Sequence, residues 1–289
     1  MEVLLQLILN GILLGGLYAM IGLGMSLIFG IMGIINLAHG DLMIVSTYMS
    51  MVVAMRFSGN VFIALLITVV VMIIIGFLCQ TFLINKVIDK GPEPPLLITF
   101  GLSIILQNVL LLIFGADAKN IPTRVSSENI VTTPWFSISE IYLINFVISI
   151  VVILLLSFVM KKTYFGRAIR ATSGDIVASE LVGVNTKRIY AYTMALAMAT
   201  ASIAGLLIGM TFTYSPSTGT QYLIFAFGVV VIGGMGNLVG TLLGGIILGL
   251  SQMVGSYFFG TAYQLFCGYI VLLVILTFRP QGLFAGARK

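Results

Sequence analysis

Residues 189–278 contain no Asp, Glu, Lys or Arg, a run of 90 positions. Shorter charge-free runs cover 3–40, 57–85, 94–116 and 141–160. A bilayer span needs about 20 mostly apolar residues. The long run therefore has room for about four spans. Charged residues make up only 8% of the chain, against 60% hydrophobic. The 14 basic and 9 acidic side chains, 23 in all, cannot cover the surface of a 289-residue soluble fold. A soluble enzyme, a nucleic-acid binder and a disordered scaffold are disfavoured. The pattern predicts an all-α, polytopic transmembrane helical bundle in one domain, residues 1–289. No cleavable signal is visible at Met1-Glu2-Val3, so the first apolar run reads as a retained span. The 32 glycines point to close helix packing. Cys79 and Cys267 lie in apolar runs and read as small core hydrophobes.

The basic residues fall in three clumps. Lys86 and Lys90 form the first. Lys161, Lys162, Arg167, Arg170, Lys187 and Arg188 form the second, and Arg279, Arg288 and Lys289 the third. Only Arg56, Lys119 and Arg124 stand apart. The positive-inside rule places the clumps in the cytoplasm. Parity then requires an even number of crossings between Arg188 and Arg279. Four fit, divided at Ser215–Gly219, at Gly233–Asn237 and near Gly260. Two spans share 3–55, broken near 31–40. The expectation is about 8–9 spans, with the N-terminus outside and the C-terminus cytoplasmic. The external loop 117–140, with Pro122, Pro134 and Trp135, reads either as an ordinary loop with an interfacial aromatic or as a docking surface.

The cytoplasmic loop 161–188 contains a short punctuated helix. Thr172-Ser173-Gly174-Asp175 fits a capping box, and Gly183 suits the left-handed C′ position. Val177, Ala178, Leu181 and Val182 share one face. That face either lies on the bilayer and its own bundle or docks in the groove of a soluble partner.

Three stretches carry a resemblance that spans essentially the whole chain. The first runs from Asn10-Gly11-Ile12-Leu13-Leu14-Gly15-Gly16 to Asn36-Leu37-Ala38-His39-Gly40-Asp41. The second is Gly166-Arg167-Ala168-Ile169-Arg170-Ala171 through Leu181-Val182-Gly183-Val184-Asn185. The third is Val231-Ile232-Gly233-Gly234-Met235-Gly236-Asn237-Leu238. In order and spacing they resemble the permease subunits of branched-chain amino-acid ABC importers, the LivH/LivM family and its LivH type in particular. The resemblance implies a second, related permease subunit, two ATP-binding subunits and an external substrate-binding protein. It implies a multi-pass place in a bacterial inner membrane and a cargo of leucine, isoleucine or valine. It also implies that Ser173, Asp175, Val177, Ala178, Leu181, Val182 and Gly183 contact the ATP-binding subunit. No Gly-x-x-x-x-Gly-Lys-Ser/Thr phosphate loop occurs in the sequence. ATP and Mg then belong to the partners, and the expectation is a non-enzymatic chain with no cofactor, metal or nucleic acid of its own.

Two polar interruptions of apolar runs are candidates for a translocation path. Asn36, His39, Gly40 and Asp41 read either as a broken helix open to a ligand or as a polar turn at the cytoplasmic surface. Gly233, Gly234, Gly236 and Asn237 read either as a helix break or as close packing and a tight turn. Residues 29–36 and 231–237 also look alike, as internal repeats would. Gln107, Asn108 and Gln252 are expected to make hydrogen bonds between helices. The rival class is an ATP-independent secondary transporter or channel for small polar solutes, which does not need the capped cytoplasmic helix.

Overall fold

The computed structural model describes residues 2–121, 123, 129–132, 137–279 and 281–284. Eleven helices follow in order: α1 (Glu2–Met32), α2 (His39–Arg56), α3 (Val61–Phe82), α4 (Glu93–Phe114), α5 (Glu140–Lys162), α6 (Tyr164–Gly174), α7 (Ile176–Leu181), α8 (Thr186–Thr211), α9 (Gly219–Gly233), α10 (Leu238–Phe259) and α11 (Gln264–Phe278). Among the described residues, eight segments are long and apolar enough to cross a membrane. They contain α1, α3, α4, α5, α8, α9, α10 and α11. The 18-residue α2 is not among them, because His39, Asp41 and Arg56 lower its hydropathy. Twelve of its residues are buried in protein, so it has no need of an apolar outer face. The divisions expected at 31–40, 215–219, 233–237 and 260 all separate helices.

From Gly11 to Ile28 nearly all of α1 is buried, and this part of it is the axis of the bundle. Its most extensive partner is the antiparallel α10, with α8, α5 and α9 packed around it. Glycines permit this approach. A Cβ on Gly245 would lie 2.6 Å from the Ala19 nitrogen, and one on Gly11 3.0 Å from Leu250 Cα. In lipid, helices associate through such close contact rather than through exclusion of water.

The outer helices follow a different rule. α3 buries Ala64, Thr68, Met72, Gly76 and Gln80; α5 buries Ile141, Asn145, Ser149 and Ile153. Both stripes repeat every four residues. That is the ridge inclined to the helix axis, so these helices cross their neighbours at an angle and show lipid their remaining faces. Leu66, Leu112, Leu154 and Phe158 are among the exposed apolar side chains.

Among the described residues, the first two basic clumps and Arg279 of the third gather at one end. Asp89 pairs with Lys187 at 2.8 Å, which joins the first clump to the second. Ile31, at the end of α1, packs with Ile169 and Tyr190 of the second. Leu283 donates to the Ile232 carbonyl at 2.9 Å, bringing the chain after Arg279 to the end of α9. Gly236, just past α9, touches Gly30 of α1. Lys119 lies at the opposite end, paired with Tyr214 beyond α8. Arg124, Arg288 and Lys289 lie outside the described residues, as do Pro122, Pro134 and Trp135.

One departure from an all-helical chain appears. Asn129–Thr132 (β1) and Ser137–Ser139 (β2) form an antiparallel hairpin in the loop 117–140. Gln6 of α1 holds it, donating to the Ser137 carbonyl at 2.6 Å and accepting from its N–H at 2.8 Å.

The packing predicts opposite outcomes at two helical glycines. Gly245→Leu forces α10 off α1 and is expected to cost about 1–3 kcal/mol or more, with loss of monodisperse protein in detergent. Nothing lies within 4 Å of a Cβ on Gly101. Gly101→Ala is expected to be neutral or to stabilise by up to about 1 kcal/mol. Melting temperatures of the two variants in nanodiscs check both.

Candidate functional site

The break after α1 sits inside the protein. Gly33, at φ +66°, ends the helix, and its N–H still reaches the Phe29 carbonyl at 3.0 Å. The chain then climbs back along α1, so that His39 Nε2 lies 3.3 Å from the Ile21 carbonyl. About 16 Å of helix separate Ile21 from Met32. Residues 33–36, at about 3.3 Å each, can cover most of that distance, and the turn that follows and the His39 side chain span the rest. α2 therefore begins well within the bundle. The polar turn expected at the cytoplasmic surface is corrected: Asn36 and His39 have no solvent exposure, and Asp41 has 1%.

Backbone groups at such a break must find protein partners, because lipid offers none. Asn36 supplies two. Its side-chain oxygen accepts from the Ala38 N–H at 3.0 Å, and its carbonyl accepts from the His39 N–H at 3.1 Å. Thr99 of α4 supplies a third, its hydroxyl accepting from the Leu37 N–H at 3.2 Å.

A second segment returns in the same way. Tyr214 is level with Tyr48, the ring centroids 5.0 Å apart. Five residues later Gly219 meets Gly40 and Asp41, where a Cβ on Gly219 would lie 3.0 Å from Asp41 Cα. Side chains cannot fit at either glycine. α2 and α9 thus start against one another.

The Asp41 carboxylate occupies this junction. It accepts from Ser103 Oγ at 2.5 Å and from Gln107 Nε2 at 2.9 Å. Gln107 also donates to Thr220 Oγ1 at 3.1 Å. No Lys, Arg or His forms an ion pair with Asp41 among the described residues. Compensation comes instead from these donors and from the positive ends of two helices, α2 and α9. Ser103 lies ten residues into the 22-residue α4, so the carboxylate sits midway along a spanning helix. Gln107 then opens into a small cleft of about 130 Å³, lined also by Asn108, Leu111, Ala116, Pro216 and Ser217.

Ser103, Thr220 and Thr99 were not singled out from sequence. A signal existed: Thr99, Ser103 and Gln107 recur every four residues within an apolar run, one polar stripe on α4. Gln107 does bond between helices, as expected. So does Gln252, whose Oε1 accepts from Tyr18 OH at 2.5 Å. Asn108 does not; its amide donates to its own helix at the Ile104 carbonyl, 2.8 Å. His39 reaches only the Ile21 carbonyl, and no cluster of metal-binding groups occurs among the described residues.

Gly233, Gly234, Gly236 and Asn237 lie elsewhere, in the tight turn between α9 and α10. Gly234 and Gly236 take φ +87° and +81°. Asn237 caps α10, accepting from the Gly240 N–H at 3.0 Å, and donates to the Phe284 carbonyl at 2.8 Å. Gly30 touches Gly236, so the two similar stretches pack on each other.

The cytoplasmic loop forms two helices rather than one. Thr172, Ser173 and Gly174 end α6 instead of opening the next helix. Asp175 is itself the N-cap of α7, accepting from the Ala178 N–H at 3.0 Å, so the expected capping box is corrected. The C-terminal expectation holds. Gly183, at φ +86°, and Val184 donate to the carbonyls of Glu180 and Ser179, closing a Schellman motif. Ser179 is buried, and Glu180 Oε1 accepts from Thr186 Oγ1 at 2.6 Å, tying α7 to α8. Val177, Leu181 and Val182 stay 68%, 83% and 78% exposed. With Ala178 they form an uncovered apolar face.

These features define a multi-pass membrane transport subunit with a solvent-facing apolar helix beside its basic end. Comparison with known proteins gives the family. The chain belongs to the branched-chain amino acid transport system / permease component family, whose model matches residues 7–276. The high-affinity branched-chain amino acid transport system permease protein BraD of Pseudomonas aeruginosa is 30% identical, over 96% of this chain and 95% of its own. LivH of Escherichia coli, of the same description, is 28% identical over 96% and 94%. The ribose import permease protein RbsC of Escherichia coli is 27% identical over 65% and 61%. The solved PsaBC from Streptococcus pneumoniae in complex with Fab shares the fold at 12% identity, TM-score 0.50, over 94% of this chain and 92% of that one. The protein is thus an ABC importer permease of the branched-chain amino acid/ribose family, a transport subunit without catalysis of its own. ATP hydrolysis in such systems occurs in separate subunits.

Removing one donor to Asp41 leaves buried acceptor capacity unmatched. Gln107→Ala is expected to destabilise by about 1–3 kcal/mol. Asn108→Ala, which touches only its own helix, should stay within about 0.5 kcal/mol. Thermal unfolding in nanodiscs distinguishes them.

Proposed function

We propose that this permease imports branched-chain amino acids, delivered by an external binding protein and driven by two ATP-binding subunits that dock on α7. The single observation that carries the docking role is the uncovered apolar face of Val177, Ala178, Leu181 and Val182, held by a cap at each end. Asp175 and Gly183 cap that helix for its partner, and Ser173, at the end of α6, lies just before it. The cargo reading rests on the relatives named for branched-chain amino acids. The cleft adds support, since Leu111, Ala116 and Pro216 face Gln107, Asn108 and Ser217 as an amphiphilic amino acid requires. On this reading the path runs past Asn36, His39, Gly40 and Asp41. The turn at Gly233, Gly234, Gly236 and Asn237 keeps neighbouring helices close beside it. Residues 1–289 act as one permease domain in a bacterial inner membrane, paired with a second, related permease. The N-terminus is outside and the basic end cytoplasmic. ATP and Mg are held by the ATP-binding subunits, and this chain binds no cofactor.

Vesicles containing the chain with its three kinds of partner test the proposal. Radiolabelled leucine uptake should require ATP and every partner, and vanadate should stop it. Ribose uptake without leucine uptake would move the cargo to sugars, and gradient-driven uptake by this chain alone would replace the importer with an autonomous carrier. Leu181→Arg should leave membrane insertion intact and weaken co-purification of the ATP-binding subunit at least tenfold, since burying one leucine contributes about 1.5–3 kcal/mol. Unchanged co-purification would remove the docking role.

A further inference from the structure

A second cavity opens at the basic end, between the ends of α3 and α8. It holds about 450 Å³ and is lined by Phe77, Thr81, Asn85, Lys86, Lys187 and Arg188, together with Asn185 and Ala191. We propose that it is a binding site for the phosphodiester headgroup of an anionic phospholipid, in the leaflet on the side of the loop 161–188.

The charge argument starts from the ion pairs. Lys187–Asp89 is the only one among the described residues. Lys187 and Asp89 therefore neutralise one another, and Glu180, which accepts from Thr186 and keeps its charge, does not line the cavity. Lys86 and Arg188 have no carboxylate within ion-pair reach among the described residues, although both line the cavity. Asn85 fixes the rim. Its amide donates to the Lys187 carbonyl at 3.1 Å, while its oxygen accepts from Gln80 Nε2 at 3.0 Å. The buried Ile84 anchors the same turn. Two uncompensated cations are thus held at the edge of a pocket, where a phosphate can accept hydrogen bonds from both.

The apolar wall selects lipid over a soluble anion. Phe77 lies about 8 Å before the end of α3, and Lys86 follows in the turn beyond that end. Its ring leans on Tyr192 of α8, with centroids 5.6 Å apart. Continuing into the bilayer, Ile74, Ile73 and Val70 lie on the same helix face as Phe77, and all three are exposed. A headgroup at Lys86 and Arg188 would place its acyl chain along this track. Basic pockets between spanning helices are suited to anionic headgroups. The site is independent of what the permease carries.

Native mass spectrometry of the protein, alone or in its complex, tests the assignment with equal amounts of phosphatidylglycerol and phosphatidylcholine. One phosphatidylglycerol should be retained in preference per chain. The double variant Lys86→Gln/Arg188→Gln should lose that preference by roughly 30-fold, as each basic group near an anionic surface contributes about fivefold. Lys161→Gln/Lys162→Gln, equally basic but outside the cavity, should leave it unchanged. The single variant Lys86→Gln, with an exposed side chain, should show about a fivefold loss even where the double variant cannot be isolated. Equal retention of the two lipids would overturn the proposal, as would equal losses in both double variants. Displacement of lipid by millimolar inorganic phosphate would assign the pocket to a soluble phosphate instead.

Discussion

A helix broken inside a bilayer leaves backbone donors and acceptors that only protein can satisfy, and that constraint organises this structure. The chain breaks at Gly33–Ala38 and again before Gly219. Both breaks are tolerated because α1, α4 and α8 wall them off. Thr99 and Asn36 supply the missing partners directly. The reward is geometric: two helix N-termini face each other at mid-bundle. A carboxylate can then persist there without a cation, held by Ser103 and Gln107 in the field of both helix ends.

Two packing regimes support this interior. Around α1, glycine lets backbones touch, so position along the axis is set to within the size of a methyl group. At the periphery, stripes recurring every four residues fix crossing angle but leave most of each helix to lipid. The basic end joins the two regimes to the cytoplasmic helices. Ile169 of α6 packs on Ile31 of α1 and on Tyr190 of α8, and Glu180 links α7 to the first residue of α8. The uncovered apolar face of α7 is therefore tied to the start of α8, a helix that runs largely buried through the bundle.

Much of this was legible beforehand because charge is so scarce. Each charge-free run delivered its helices, and the described residues of the three basic clumps met at one end. Gly183 was readable as a C′ residue because few other residues accept a positive φ. The N-terminal boundary of α7 was misplaced because Thr172, Ser173 and Asp175 can all cap a helix. Which one does so depended on α6 continuing to Gly174, a consequence of burying Ile169 and Thr172. Asn108 was misassigned because sequence does not say which way an amide on a helix turns.

By itself the sequence determined the solvent, the number and place of the long helices, and the end at which the basic residues collect. Apolar length and the cost of buried charge decide those locally. Only the tertiary structure decided that His39 and Asp41 lie in the interior rather than at the surface. The same polar stretch reads identically in either place. Its depth depends on the short linker 33–38 folding back along α1 and on α9 starting beside it, contacts between residues about 180 positions apart.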